Sequence, residues 1–277
     1  MKTKSGNVSP SKASPMKIMY NWMSSPNGFR LDTNEGEWLE EVFRAYNRKA
    51  QVRQKTLPSF SKYTQEIDKI VNKFDKISSE NKLKPVYEKA KTILEVQNQT
   101  GIRVQEWRTQ RKDVDDGIQV KHLFHLNDKG NIVKGLKEGK INFIDITAQA
   151  SKNGRQRYVP LTPNSSSSLQ SLISSQNLKG SDLIYDNKFR DKIASITNKE
   201  LKNINEKAVS DDARDILQQV GMFKSGLDHD EIRLLNNMLD HQITRIDAIY
   251  GKDVNPSQII KDTYKAVLKV EKNKYKD

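Results

Sequence analysis

The chain has 277 residues, a formal net charge of +13 and 30% charged residues, and it contains no cysteine. The absence of cysteine excludes disulfides, thiolate metal sites and cysteine nucleophiles. No run of about 18 apolar residues occurs, so the sequence predicts no membrane span and a cytoplasmic protein. The sequence pI near 9.6 favours nucleic acid or an acidic membrane face as partner, unless lysine is simply abundant in this chain.

The first 57 residues are predicted to form a segment of their own. Residues 1–14 consist of Ser, Lys, Pro and Gly with almost nothing apolar, which is typical of disorder. Apolar spacing predicts two short helices, near residues 16–23 and 35–47. A basic linker follows them, and we expect a second domain to occupy residues 58–277.

Helical periodicity opens this second domain. Apolar stripes predict helices around residues 67–77 and 86–97. Gly101 stands where the second of these should end, because glycine is common just past a helix C-terminus. A further helix is predicted through Trp107.

The character of the chain then changes to strands. Strand-like runs are predicted at residues 118–124, 141–146 and 157–161. Turn residues separate them at 128–131 and at 152–154, the latter an Asn-Gly hairpin turn. These runs predict a small antiparallel sheet in a mixed α/β, mainly helical fold.

Helices are predicted again after Pro163, up to a Lys-rich tail. They fall at residues 169–173, 189–196, 213–220, 231–239, 243–250 and 256–270.

Four short stretches carry side chains suited to phosphodiester chemistry: Thr100–Glu106, Lys152–Leu161, Ser210–Asp215, and Leu239–His241 with Tyr250 nine positions after the histidine. A tyrosine can attack a phosphodiester if fixed cations neutralise the non-bridging oxygens and an acid protonates the leaving 5′ oxygen. Guanidinium groups hold a phosphate bidentately. Two arginines, a lysine, a histidine and a tyrosine would meet these needs without a metal or cofactor.

These stretches resemble the catalytic domain of the tyrosine recombinases, the phage-integrase family. The family's first box, T-G-(I/L)-R-x-x-E, is matched by Thr100–Glu106, and its hairpin, K-x-x-(K/R)-x-R-x-V-P-L, by Lys152–Leu161. Its last box is L-G-H with a tyrosine nine residues later. Leu239–His241 and Tyr250 match its spacing, with Asp240 in place of the glycine. The similarity covers about residues 58–265, so it implies a tyrosine-recombinase-like catalytic domain.

The resemblance implies that Arg103 and Arg214 clamp the scissile phosphate and that Glu106 supports Arg103. The family box for the second arginine reads H-x-x-R, but its first position here is Asp211. That carboxylate would repel a phosphate unless it points away or pairs with Arg214. A surface ion pair between Arg214 and its neighbouring aspartates is the competing interpretation.

The resemblance assigns the remaining chemistry to three side chains. Lys152 would be the general acid for the leaving oxygen, and His241 would hydrogen-bond the phosphate or assist proton transfer. Tyr250 would be the nucleophile and become linked to the 3′ phosphate. No metal or other cofactor is implied.

The implied function is site-specific recombination or integration of a mobile element by two transesterifications. The implied partners are double-stranded DNA and three further copies of the chain, as a homotetramer on two DNA sites. Relatives carry a separate helical domain before the catalytic one, so residues 1–57 are interpreted as a reduced or truncated version of it. The last predicted helix either packs on its own chain or docks on the neighbouring protomer, as such a tail does in relatives, and we expect the second.

Two other functions fit the same residues. A type IB topoisomerase uses a similar set of side chains, although the Lys152 hairpin and the Leu239–His241 box favour a recombinase. A non-catalytic DNA-binding relative that kept the fold is the second alternative, and Asp211 is the residue in its favour.

Overall fold

The computed structural model describes residues 59–80, 84–107, 117–151, 154–185, 190–202, 212–217, 225–240 and 255–275. All of these belong to the unit Pro58–Asp277. The predicted N-terminal segment, residues 1–57, lies outside the described residues, so its two helices stay a prediction. The same holds for the helix predicted at residues 243–250.

The described residues are mainly helical, as the sequence predicts. Numbered in chain order, their α-helices are α1 Phe60–Glu80, α2 Lys84–Thr100, α3 Val104–Trp107, α4 Pro163–Ser175, α5 Arg190–Leu201, α6 Asp212–Ile216, α7 His229–Met238 and α8 Pro256–Asn273. Within the ranges given above, no helix is both long and apolar enough to cross a lipid bilayer.

Three helices begin at residues whose side chains cap the backbone. Thr162 and Asn255 precede α4 and α8, and each side chain accepts a hydrogen bond from the first turn of its helix, which has proline at its start. Asp228 and Glu231 form a reciprocal capping box at the start of α7. Such caps satisfy backbone N–H groups that have no partner inside the helix, so the starts of these helices follow from local sequence.

The sheet has four antiparallel strands in the order β2-β1-β3-β4. They are β1 Leu123–Leu126, β2 Ile132–Lys134, β3 Ile141–Ile146 and β4 Arg157–Pro160. The predicted antiparallel sheet is therefore confirmed, and β3 and β4 are the strands expected on either side of the Lys152 hairpin.

The strand predicted at residues 118–124 joins the sheet only in its second half, because Gln119 forms an isolated antiparallel bridge with Leu183 outside the sheet. The backbone N–H of Ile118 donates to the carbonyl of Glu106 over 3.1 Å, and the carbonyl of Ile118 accepts from Ile184 over 3.1 Å. A 3-10 turn, Val120–His122, then leads into β1. Ile118 is fully buried, so its apolar character reflects packing beside α3 and not a place in the sheet.

One face of the sheet packs on the last helix of the same chain. Phe143 of β3 stacks on Phe124 at 5.7 Å between ring centroids and meets Tyr158 edge-on, also at 5.7 Å. Leu126 and Ile260 of α8 join this cluster and are buried. Helix α8 thus packs on its own chain, which is the first of the two alternatives that the sequence left open.

Helix α2 lies at the centre of the helical part and packs against α1, α4, α5 and α6. Its buried face includes Val86, Ala90, Ile93, Leu94 and Val96. Because α2 ends at Thr100, this packing fixes where the Thr100–Glu106 stretch begins.

Candidate functional site

The Thr100–Glu106 stretch turns the chain sharply between α2 and α3. Gly101 has a φ of +64°, and its backbone N–H closes the last turn of α2 on the carbonyl of Gln97 at 2.8 Å. The Gln97 side chain in turn donates to the carbonyl of Ile102 over 3.0 Å. The turn places Arg103 directly before α3, with its side chain 15% exposed.

Glu106 is the buried centre of the site, with its side chain fully removed from solvent. Its Oε2 accepts the backbone N–H of Arg103 over 2.9 Å, and its Oε1 accepts Nη2 of Arg157 over 2.7 Å. The contact from Oε1 to Nη1 of Arg103 is longer, at 3.5 Å. Glu106 therefore supports Arg103 mainly through the backbone, while its closest side-chain partner is Arg157.

Arg157 of β4 ties three parts of the chain together. Besides Glu106, it donates from Nε to the carbonyl of Met238 over 2.8 Å and from Nη1 to Oγ of Ser151 over 3.3 Å. The Met238 carbonyl belongs to the last turn of α7, where carbonyls lack partners within the helix. Arg157 thereby fixes the end of α7 relative to α3. Sequence reasoning gave this arginine no separate role, although it is the third basic residue of the Lys152–Leu161 stretch, after Lys152 and Arg155.

Arg214 lies on α6 with only 5% of its surface exposed. Burial lowers the pKa of its guanidinium to about 10, and repulsion from Arg103 and Arg157 adds to this, opposed by attraction from Glu106 and Asp240. The group stays protonated at neutral pH. The interpretation of Arg214 as a surface ion pair is wrong, because the side chain is buried beside Arg103.

Asp240 follows α7 and completes the site from the other side. Its Oδ2 accepts Nη1 of Arg103 over 2.8 Å, and its side chain is 3% exposed. Its φ is +55°, in the left-handed region that favours glycine and that Asp tolerates better than most residues. A glycine would adopt this backbone angle without strain.

The backbone of the site is closely packed at Gly101. A Cβ built there would lie 2.4 Å from Cδ2 of Leu239, 3.4 Å from Cδ2 of Leu217 and 3.5 Å from Cα of Arg214. An alanine would force the buried Leu239 side chain to move, while Leu217 and Arg214 would be in ordinary contact, so Gly101 serves both the turn and the packing against Leu239.

Four predicted site residues remain outside the described residues: Lys152, Asp211, His241 and Tyr250. Their roles stay predictions. Ser151, next to Lys152 in sequence, contacts Arg157, and Asp240 directly precedes His241.

The arrangement is suited to an anion and not to a cation. Among the side chains that the structure describes here, the guanidinium groups of Arg103, Arg157 and Arg214 lie with the carboxylates of Glu106 and Asp240. Among the residues that the structure describes, no group of three or more His, Cys, Asp or Glu side chains has the geometry to hold a metal ion.

Replacing Gly101 with alanine tests the close approach. We expect Gly101→Ala to lower the free energy of unfolding by about 2–5 kcal/mol, since it adds steric overlap to an unfavourable φ. Gly226 is the matched control, because its φ is +62° and a Cβ there would contact nothing within 4 Å. Gly226→Ala should cost about 1–2 kcal/mol. Equal losses in urea denaturation would contradict the packing described.

Removing the charge of Glu106 tests the buried network. Glu106→Gln should lower the free energy of unfolding by about 3–5 kcal/mol, because Arg157 loses its buried counter-ion. Glu138 is exposed, so Glu138→Gln should change stability by no more than about 0.5 kcal/mol. A Glu106→Gln variant as stable as Glu138→Gln would show that the network contributes little.

No protein-family model, no curated protein and no solved structure matches this chain. The function is therefore argued from the arginines and carboxylates themselves.

Proposed function

We propose that the chain is a DNA strand transferase of the tyrosine-recombinase type, which cleaves and rejoins DNA through a 3′-phosphotyrosine. One observation carries the proposal. Residues from all four sequence stretches meet in one cluster: Arg103 and Glu106 from the first, Arg157 from the second, Arg214 from the third and Asp240 from the fourth. The Arg103–Asp240 contact joins residues 137 positions apart.

The electrostatics of this cluster favour a phosphodiester. Arg103 and Arg214 repel each other, and an anion beside them, such as a phosphodiester, would relieve that repulsion. Arg103 is the most accessible of the three arginines, with 15% of its side chain exposed against 2% for Arg157. A bound phosphate would therefore meet Arg103 first, with Arg214 behind it.

The proposed roles separate clamping from positioning. Arg103 and Arg214 neutralise the non-bridging oxygens of the scissile phosphate, where charge develops in the transition state. Arg157 and Glu106 act through other residues: they hold α3, β4 and the end of α7 together. Neither needs to touch the DNA.

The proposed reaction balances without an added metal or nucleotide. The Tyr250 phenol releases its proton to solvent as its oxygen bonds to phosphorus and the bond from phosphorus to the 5′ oxygen breaks. Lys152 protonates that leaving oxygen, so one proton is released and one is taken up. His241 assists proton transfer or hydrogen-bonds the phosphate. The reverse attack by a 5′ hydroxyl of another strand rejoins the DNA. The net charge of +13 supports a DNA partner, and a tetramer on two sites remains part of the proposal.

A covalent-trapping experiment tests the proposal. The full chain is incubated with labelled duplexes of randomised sequence that carry a nick, so that the cleaved fragment diffuses away and the adduct accumulates. We expect a DNA–protein adduct on a denaturing gel that Tyr250→Phe abolishes and Tyr264→Phe retains. Arg103→Lys and Arg214→Lys should slow adduct formation by about 10²–10³-fold, because lysine cannot reproduce the guanidinium fork.

Matched controls and alternatives are read in the same experiment. Arg233 is partly exposed on α7, so Arg233→Lys should leave adduct formation unchanged. An adduct with relaxation of supercoils but no exchange between two sites would favour a type IB topoisomerase. DNA binding without any adduct would favour the non-catalytic relative. The structural observation in favour of that alternative is the ion pair between Asp240 and Arg103, because it already occupies one of the two arginines proposed to clamp the phosphate.

A further inference from the structure

The backbone conformation at Asp240 suits glycine better than aspartate. The residue has a φ of +55°, which glycine adopts freely and an L-residue adopts under strain. The capping bond from its backbone N–H to the carbonyl of Asn237, 2.9 Å, would form equally well with glycine. What the aspartate adds is a carboxylate.

That carboxylate faces the arginine that a phosphate would reach first. Its Oδ2 lies 2.8 Å from Nη1 of Arg103, closer than the 3.5 Å between the same nitrogen and Glu106. The Asp240 side chain is 3% exposed, so the attraction is only weakly screened by water. Glu106 is committed elsewhere, to Arg157 and to the backbone of Arg103. Asp240 is thus the principal side-chain counter-ion of Arg103.

We propose that Asp240 is an internal competitor of the phosphate, an autoinhibitory anion that occupies Arg103 until DNA displaces it. The inference rests on the proposed function, since it takes the clamp to be a phosphate site. A phosphate held by Arg103 would lie beside the Asp240 carboxylate, and two anions on one guanidinium repel each other. DNA must therefore either move Asp240 aside or bind against its charge, and in both cases the carboxylate weakens binding.

A purely structural ion pair makes the opposite prediction. If Asp240 only stabilises the fold by neutralising Arg103, its removal loosens the site and phosphate binding is unchanged or weaker. If Asp240 competes, its removal takes away the carboxylate closest to Nη1 of Arg103 and phosphate binding tightens.

Titration of the full chain with inorganic phosphate separates the two. Ionic strength is held constant with chloride, and binding is followed by the shift in melting temperature. We expect Asp240→Asn to lower the apparent Kd for phosphate about tenfold relative to the unaltered chain. Asp230→Asn is the matched control, because it makes the same charge change on an exposed residue at the start of α7. It should change the Kd less than twofold.

Two further variants keep the test decisive. Asp240→Gly removes the carboxylate at a backbone angle that suits glycine, so it should tighten phosphate binding even if Asp240→Asn folds poorly. Arg103→Gln should abolish the tightening when combined with Asp240→Gly. Phosphate binding by Asp240→Gly that equals or falls below that of the unaltered chain would overturn the inference, as would tightening that survives Arg103→Gln.

The result is independent of DNA cleavage. Tighter phosphate binding without any covalent adduct would support the role of Asp240 as a competitor and contradict the proposed strand transfer. A Tyr250-dependent adduct without tighter phosphate binding by the Asp240 variants would support strand transfer and contradict the role of Asp240 as a competitor.

Discussion

The buried carboxylate of Glu106 is the constraint on which the site depends. A fully buried charge is costly unless it is paired and hydrogen-bonded, and Glu106 meets that demand with the Arg157 guanidinium and the backbone N–H of Arg103. Because Arg157 also holds the carbonyl of Met238, satisfying one carboxylate aligns α3, β4 and the end of α7. The positions of Arg103 and Asp240 follow from that alignment.

Arg214 is buried beside the same network. Burial and repulsion from Arg103 and Arg157 lower the pKa of its guanidinium, while Glu106 and Asp240 attract it. An anion bound beside Arg103 and Arg214 would lessen this repulsion, which is the physical basis of the proposed phosphate site. The structure therefore links stability and the proposed chemistry through the same few side chains.

Much of the fold could be predicted because its signals are local. Three helices begin directly after residues that cap them, Thr162, Asp228 and Asn255. The turn predicted at Asn153–Gly154 implied that the strands on either side of it pair, and β3 and β4 do pair. Strand β2 was not predicted, because Ile132–Lys134 is only three residues long and exposed throughout. The place of Ile118 outside the sheet has a different source, since its partners lie on α3 and at Ile184, far from it in sequence.

The site could be predicted only in part, because its contacts join residues that are far apart in sequence. The sequence pointed to Arg103, Glu106 and Arg214 through their boxes, yet nothing local distinguishes a buried Arg214 from a surface one. Arg157 acts through its contact with Glu106, and Asp240 acts through its contact with Arg103. Pairings between residues so far apart cannot be read from one sequence. Asp240 stood out only as a departure from glycine, and its positive φ gives that departure a physical meaning.

The most direct test of the central claim, that Arg103 and Arg214 form one anion clamp, is a crystal structure of Asp240→Gly grown with tungstate. Tungstate is a tetrahedral dianion whose anomalous scattering identifies it without ambiguity. The account predicts a single strong anomalous peak at this cluster, with oxygens about 2.7–2.9 Å from nitrogens of both arginines. A tungstate ion bound only at other lysines or arginines, with this cluster empty, would contradict it.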